Sequence, residues 1–152
     1  MSWYGVAITV HILGIVWWIG GLAFATLVLL PLLRSDLSSD PFTRIRAIEH
    51  RFAPQARIAL TLVGLSGAYM LSVSGLWRAL LYPAAWWLDL MILYWGFFAL
   101  LLFVLEPTGI MKRIVFSGID TERGFNRFHT IHKVLLAAGI VVIASAAISS
   151  HG

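Results

Sequence analysis

Hydrophobic residues along this chain fall into four long runs separated by short polar segments. The first run, Trp3–Leu33, contains no Asp, Glu, Lys or Arg. At ~1.5 Å of rise per residue, a helix over this run is about 46 Å long, which exceeds the ~30 Å hydrocarbon core of a bilayer. Three more runs lie at roughly Ile58–Trp77, Trp86–Leu105 and Phe128–Ser149. The pattern predicts four transmembrane helices, the first of them tilted, kinked or projecting at one end.

The first run contains one ionisable side chain, His11. On a helix it shares a stripe with Gly14, Trp18, Gly21 and Ala25, at the spacing that places side chains on one face. A histidine on a stripe of small residues within lipid is expected to face other helices, because burial of a polar group against hydrocarbon is costly. The sequence therefore singles out His11 as a functional residue.

Composition supports the membrane assignment. The 152 residues are 60% hydrophobic and 12% charged, with a mean hydropathy of +0.88, and a soluble domain of this length has no means of hiding that much apolar surface. The size predicts one all-α domain, residues 1–152, built as a four-helix transmembrane bundle. The chain has no Cys, which excludes disulfides and thiolate metal ligands. The net charge of +4 does not indicate nucleic-acid binding, since the basic residues cluster at helix ends.

The segments between the runs predict helix starts and interfacial pieces. Asp40 and Pro41 combine an N-cap oxygen with a proline at the first helical position. The segment Phe42–Arg57 is helix-like but too charged for lipid, so it is expected to project and continue into the second span, with Pro54 as a possible kink. Ile110–Phe116 is amphipathic and is expected to lie in the membrane interface.

The distribution of basic residues predicts the orientation. Segments 34–57 and 106–133 hold all of the Lys and Arg residues except Arg78. By the positive-inside rule both segments are cytoplasmic, so both termini face the outer, periplasmic side of a bacterial inner membrane. Six aromatic residues are expected to form a belt on that outer side: Trp3, Tyr4, Trp77, Tyr82, Trp86 and Trp87.

Three histidines, His50, His129 and His132, lie towards the predicted cytoplasmic side. Their helical stripes continue into small residues, so His50 of the second span and His129 or His132 of the fourth are placed to face each other. One imidazole from each of two helices is the geometry of a bis-histidine haem b. Nearby cations that would neutralise the haem propionates are Arg51, Arg57, Arg127 and Lys133. The alternative is that these histidines meet lipid headgroups and water.

On the outer side, His11 is expected to lie nearly level with Asp89 and His151. The Asp89 carboxylate would hold one ring nitrogen of His11 and leave the other for iron, an arrangement common among metal-ligating histidines. His151 is a candidate second ligand, and Met70 is assigned to packing. The alternative for His11 is a buried histidine bonded to Asp89 or to a backbone carbonyl. Ser66 is expected to bond its own helix backbone.

Three short motifs resemble a known family. The pattern His11-x6-Trp18-x-Gly20-Gly21-Leu22, followed by Phe24 and Pro31, is similar to the copper-resistance D (CopD)-like membrane proteins and the related four-helix HemJ-type protoporphyrinogen oxidases. Glu49–Pro54 resembles the entry to their second helix. Phe125–Phe128, followed by His132 and Lys133, resembles the entry to their last helix. The resemblance implies a b-type haem with His11 as ligand and redox chemistry at the membrane.

The sequence thus predicts a small membrane cytochrome b that carries one or two haem b groups and moves electrons. An oxidoreductase activity linked to a quinone or a porphyrinogen is one form of this function. The predicted haem-binding residues are His11, His50, His129, His132, Arg57 and Asp89. Expected partners are bilayer lipid and a quinone or a redox protein, with a homo-oligomer left open. The competing hypotheses are a histidine-based site for copper or another divalent metal, and a non-redox subunit whose histidines are structural.

Overall fold

The computed structural model describes residues 2–35, 41–109 and 121–151, and every regular element within these ranges is helical. The helices are α1 (Trp3–Phe24), α2 (Leu30–Ser35), α3 (Pro41–Ser74), α4 (Trp86–Leu100), α5 (Glu106–Thr108) and α6 (Thr121–His151). One π-helical turn, Ala25–Leu29, joins α1 to α2, and another, Leu101–Leu105, joins α4 to α5. The predicted all-α fold is confirmed.

Four stretches of the described chain are long and apolar enough to cross a membrane. They are span 1 (Trp3–Arg34), span 2 (His50–Ser74), span 3 (Pro83–Thr108) and span 4 (Glu122–Ser149). Each matches one of the four hydrophobic runs, although spans 2 and 4 begin earlier than the hydropathy pattern indicates. The predicted start at Pro41 is confirmed, and α3 continues through Pro54. The interfacial piece expected at Ile110–Phe116 lies outside the described residues.

The four spans form a closed bundle in which each span packs against two neighbours. Span 1 contacts span 2 most extensively, span 2 contacts span 3, span 3 contacts span 4, and span 4 returns to span 1. Glycines allow the closest approaches. A Cβ at Gly14 of span 1 would lie 2.8 Å from Val63 Cγ2 of span 2, and one at Gly139 of span 4 would lie 2.6 Å from the Tyr94 hydroxyl of span 3. Small residues therefore set the distances between helices, as expected in lipid.

Both π-helical turns precede a proline. The Leu30 N–H bonds to Ala25 O and the Glu106 N–H bonds to Leu101 O, each five residues back rather than four. In the same pattern the next carbonyl, Thr26 O, would accept from residue 31, and Leu102 O would accept from residue 107. Both of these residues are prolines, which have no N–H. Each turn therefore leaves one carbonyl without a donor in its own helix, within a stretch apolar enough to cross a membrane, where lipid would offer none.

The connection between spans 2 and 3 contains two short 3₁₀ segments, Leu76–Ala79 and Pro83–Ala85. Between them, Leu81 adopts a left-handed backbone conformation with φ of 66°. The Leu81 N–H donates to both carboxylate oxygens of Asp89, at 3.2 and 3.3 Å. Because a left-handed leucine is strained, this contact identifies Asp89 as a residue that stabilises the loop.

Gly64 provides a direct test of the close packing between spans 2 and 3. A Cβ at Gly64 would lie 2.5 Å from Cζ2 of the Trp95 indole. We expect Gly64→Ala to lower the stability of the protein by about 1–3 kcal/mol, as overpacking does in dense cores. Thermal unfolding in detergent measures the change. Gly96→Ala is the matched control, because a Cβ at Gly96 meets nothing within 4 Å, and equal melting temperatures for the two variants would contradict the packing described above.

Candidate functional site: two cavities separated by an aromatic layer

Three aromatic rings meet inside the bundle. Trp18 of span 1 contacts Tyr94 and Phe98 of span 3, with ring centroids 5.5 and 4.9 Å apart. Tyr94 and Phe98 are themselves 5.0 Å apart. The Tyr94 hydroxyl donates to Leu135 O of span 4 at 2.9 Å, which fixes the ring. We refer to Trp18, Tyr94 and Phe98 as the aromatic layer, and one cavity lies on each side of it.

The larger cavity has a volume of about 430 Å³ and lies towards the end of the bundle that carries Tyr4 and Trp77. Its walls are almost entirely apolar and rich in aromatic rings. The aromatic residues that line it are Tyr4, Trp18, Trp77, Trp87, Tyr94 and Trp95. Two thioethers, Met70 and Met91, and the imidazole of His11 also line it. Its volume is in the ~300–1,000 Å³ range typical of ligand and cofactor pockets.

The hydrogen bonds of His11 define its tautomer. His11 Nδ1 lies 3.0 Å from Val63 O and 3.1 Å from Ser66 Oγ. A backbone carbonyl only accepts, so Nδ1 carries the proton. The Ser66 hydroxyl donates to Leu62 O at 2.5 Å, so its oxygen is free to accept from the same Nδ1–H. In this neutral tautomer Nε2 carries a lone pair and is the nitrogen available to a metal.

Gly67 makes room for the His11 ring. A Cβ at Gly67 would lie 3.2 Å from His11 Cε1, the carbon between the two ring nitrogens. The imidazole is thus held by span 2 along one edge, through Val63, Ser66 and Gly67. The predicted contact between His11 and Asp89 is wrong, because the two side chains bond to different backbone groups. The alternative of a backbone carbonyl partner for His11 is confirmed, as is the expectation that Ser66 bonds its own helix.

The smaller cavity has a volume of about 220 Å³ and lies on the other side of the aromatic layer. All four spans contribute to its wall, and Trp18 lines both cavities. Besides the indoles of Trp17 and Trp18, three polar side chains line it, those of Gln55, Glu106 and His132. His132 Nδ1 lies 3.0 Å from Phe128 O in its own helix, which orients the ring.

The two carbonyls left without donors by the π-helical turns are satisfied by side chains of neighbouring spans. His129 Nε2 of span 4 donates to Thr26 O of span 1 at 3.0 Å. Arg57 Nε of span 2 donates to Leu102 O of span 3 at 3.0 Å. Thr26 is fully buried, so the bond from His129 is made away from solvent. Both side chains therefore hold helices together, a role that the sequence analysis did not assign to either.

Arg57 also forms an ion pair with Glu106 of span 3. The two side chains are about one-third and one-quarter exposed, so they lie where the bundle interior meets its polar end. The predicted role of Arg57 in neutralising haem propionates conflicts with these contacts, because the guanidinium is bound to Glu106 and to Leu102 O. The sequence contained a signal for this pair. Arg57 lies near the N-terminal end of span 2 and Glu106 near the C-terminal end of span 3, and antiparallel spans bring these two ends to the same end of the bundle.

The predicted pairing of His50 with His129 or His132 is not formed around either cavity. His50 is exposed, and neither His50 nor His129 lines the cavity to which His132 contributes. The side chain of His151 lies outside the described residues. Among the residues that the structure describes, no three His, Cys, Asp or Glu side chains come close enough to hold a metal ion.

Comparisons with family models, with curated proteins and with solved structures find no match to this chain. The similarity to CopD-like and HemJ-type proteins therefore stays a prediction from the short motifs, and the function has to be argued from the two cavities and the residues that line them.

The ion pair between Arg57 and Glu106 gives a second stability prediction. We expect Glu106→Gln to destabilise the protein by about 1–3 kcal/mol, because a partly buried guanidinium loses its charged acceptor. Glu122→Gln is the control. Its partner Arg34 lies at 3.7 Å and both side chains are more than half exposed, and such surface pairs contribute ~0–1 kcal/mol. Thermal unfolding of both variants in detergent makes the comparison, and a larger loss for Glu122→Gln would refute it.

Proposed function

We propose that this protein binds one haem b in the larger cavity, where His11 Nε2 would hold the iron, and that it transfers electrons within the membrane. The observation that carries the proposal is the hydrogen bond from His11 Nδ1 to Val63 O, beside Ser66 Oγ. Metal-ligating histidines commonly donate their second ring N–H to a carbonyl or carboxylate, which fixes the tautomer and raises the basicity of the ligating nitrogen. A carbonyl here replaces the carboxylate expected from the sequence.

The walls of the larger cavity suit a flat apolar macrocycle. Aromatic rings from span 1, from span 3 and from the connection between spans 2 and 3 line it, and they would shield the ligand from water. The bound haem would supply one-electron redox chemistry. The protein would supply an imidazole held in one tautomer, a low-dielectric wall and a fixed position relative to the aromatic layer. Those features are the means by which a protein sets the potential of a haem iron.

The composition of the cavity favours haem over a site for a free metal ion. The larger cavity offers a single imidazole, from His11, and no carboxylate. A copper or zinc site built by protein alone needs three or four ligands, and no such group is found among the described residues. A porphyrin brings four nitrogens of its own, so one or two protein ligands complete the iron.

We expect His11→Ala to abolish haem binding, because no other imidazole among the described side chains lines the larger cavity. The measurement is the reduced-minus-oxidised visible spectrum of the purified protein, with haem quantified per chain. His50→Ala is the matched control, since His50 is exposed, and it should retain the full haem content. Haem content unchanged by His11→Ala would refute the assignment.

Ser66→Ala tests the role of the hydrogen bond and avoids removing the ligand. Ser66 would be a positioning residue, so this variant should keep its haem and shift the midpoint potential or the α-band position. If Ser66 had only a structural role, Ser66→Ala would change the melting temperature and leave the haem signals unchanged. That result would contradict the proposed effect of the Ser66 contact to His11 Nδ1–H.

The proposed orientation places segments 34–57 and 106–133 in the cytoplasm of a bacterium and both termini outside. It rests on the basic residues, of which only Arg78 lies in the connection between spans 2 and 3. The absence of Cys from the sequence makes single-cysteine labelling direct. In intact spheroplasts, Ala84→Cys should react with a membrane-impermeant maleimide, whereas Ser39→Cys should react only after lysis. The reverse pattern would invert the topology.

A further inference from the structure

The smaller cavity differs from the larger one in the two respects that select a ligand. Its volume of about 220 Å³ is below the ~300–1,000 Å³ range of pockets for drug-sized ligands and cofactors, so it suits a headgroup of one or two rings. It also combines flat apolar walls with a carboxylate, an amide and an imidazole, from Glu106, Gln55 and His132, whereas no carboxylate or amide side chain among the described residues lines the larger cavity.

Aromatic rings and polar groups are distributed around the smaller cavity from all four spans. Trp18 and Phe98 of the aromatic layer form part of its wall, with Phe52 from span 2. Glu106 and His132 bring a carboxylate and an imidazole from spans 3 and 4. A planar ring that carries oxygens on its edge can contact both kinds of group at once, by stacking and by hydrogen bonding.

The wall of this cavity reaches the surface of the bundle. Trp17, which lines the cavity, is 47% exposed, and Gln55, which also lines it, is exposed as well. Trp17 belongs to the apolar middle of span 1, so its exposed part meets hydrocarbon. A ligand that is dissolved in lipid therefore has a route to the cavity that does not pass through water.

We propose that the smaller cavity, lined by Glu106, His132, Trp18 and Phe98, binds the headgroup of a lipid-soluble quinone or quinol. The headgroup stacks on aromatic side chains. A quinol hydroxyl donates to the Glu106 carboxylate or to His132 Nε2, a quinone oxygen accepts from the Gln55 amide, and the isoprenoid tail extends into the membrane. Because Trp18 lines both cavities, this ligand lies across one aromatic side chain from the larger cavity. The binding site rests on its own geometry, and its role as an electron partner rests on the proposed haem.

Two neighbouring glycines allow the site to be blocked selectively. Gly21 lines the smaller cavity, and a Cβ there meets no atom within 4 Å. A leucine at this position fills the cavity without clashing with the backbone. Gly20 also has open space around its Cβ, is exposed, and lines neither cavity. Gly20→Leu is thus a control of equal size, one residue away on the same helix.

The experiment uses a photoreactive azidobenzoquinone on the full-length protein in nanodiscs, with decylubiquinone as competitor and peptide mapping of the labelled site. The wild type and Gly20→Leu should be labelled within the segments that line the cavity, 17–25, 52–59, 98–106 or 128–135, and the competitor should suppress the label. Gly21→Leu should lower labelling by about tenfold or more, which corresponds to ~1.4 kcal/mol of binding free energy, and should keep its haem content.

The outcomes separate the two proposals. Labelling of Gly21→Leu at the wild-type level, or a label that maps outside the four segments that line the smaller cavity, would overturn the quinone site. Loss of haem in Gly21→Leu would also overturn it, because the smaller cavity would then be the haem site. A colourless protein that shows the expected labelling would refute the haem proposal and support the quinone site.

Discussion

Two carbonyl oxygens without a donor in their own helix determine how this bundle is held together. Pro31 and Pro107 each remove an N–H within a span, and hydrocarbon provides no substitute for it. In each case a polar side chain of a neighbouring helix donates the missing hydrogen bond. An imidazole donates to the carbonyl in span 1, and a guanidinium donates to the carbonyl in span 3. Because these bonds join different spans, each carbonyl that lacks a backbone donor forms a hydrogen bond between two helices.

The same turns help to shape the interior. Ala25 lies in one π-helical turn and Leu101 and Leu102 lie in the other, and all three line the smaller cavity. π-helical turns are often found where a protein binds a ligand, since the extra residue per turn displaces side chains from regular packing. On the other side of the aromatic layer span 1 is a regular α-helix, and Gly64 and Gly67 there leave room for the Trp95 and His11 rings. The two halves of the bundle thus differ in backbone geometry and in chemistry.

Hydropathy and spacing were sufficient to predict the spans and the inward-facing stripe of span 1. Gly14 and Trp18 are buried, and His11 lines an internal cavity, as their shared face requires. The partners of the polar side chains were not predictable in the same way. The assignment of Asp89 to His11 assumed that equal depth brings two groups together, but depth leaves the rotation of each helix undetermined. His129 was predicted to be a haem ligand, whereas it donates to Thr26 O. Its bond is explained by the missing N–H of Pro31, about 100 positions earlier, and spacing along one helix does not reveal such a partner.

The direction of the two interhelical bonds has a consequence for biogenesis. Spans 1 and 2 form one hairpin and spans 3 and 4 another, and each hairpin donates to a carbonyl of the other. When the first hairpin enters the bilayer, Thr26 O still lacks its donor and Arg57 still lacks both of its acceptors. Neither half is therefore complete on its own in lipid. An isolated hairpin in lipid would leave a carbonyl or a guanidinium without its partner, and span 4 supplies the donor that completes the hydrogen bonding of span 1.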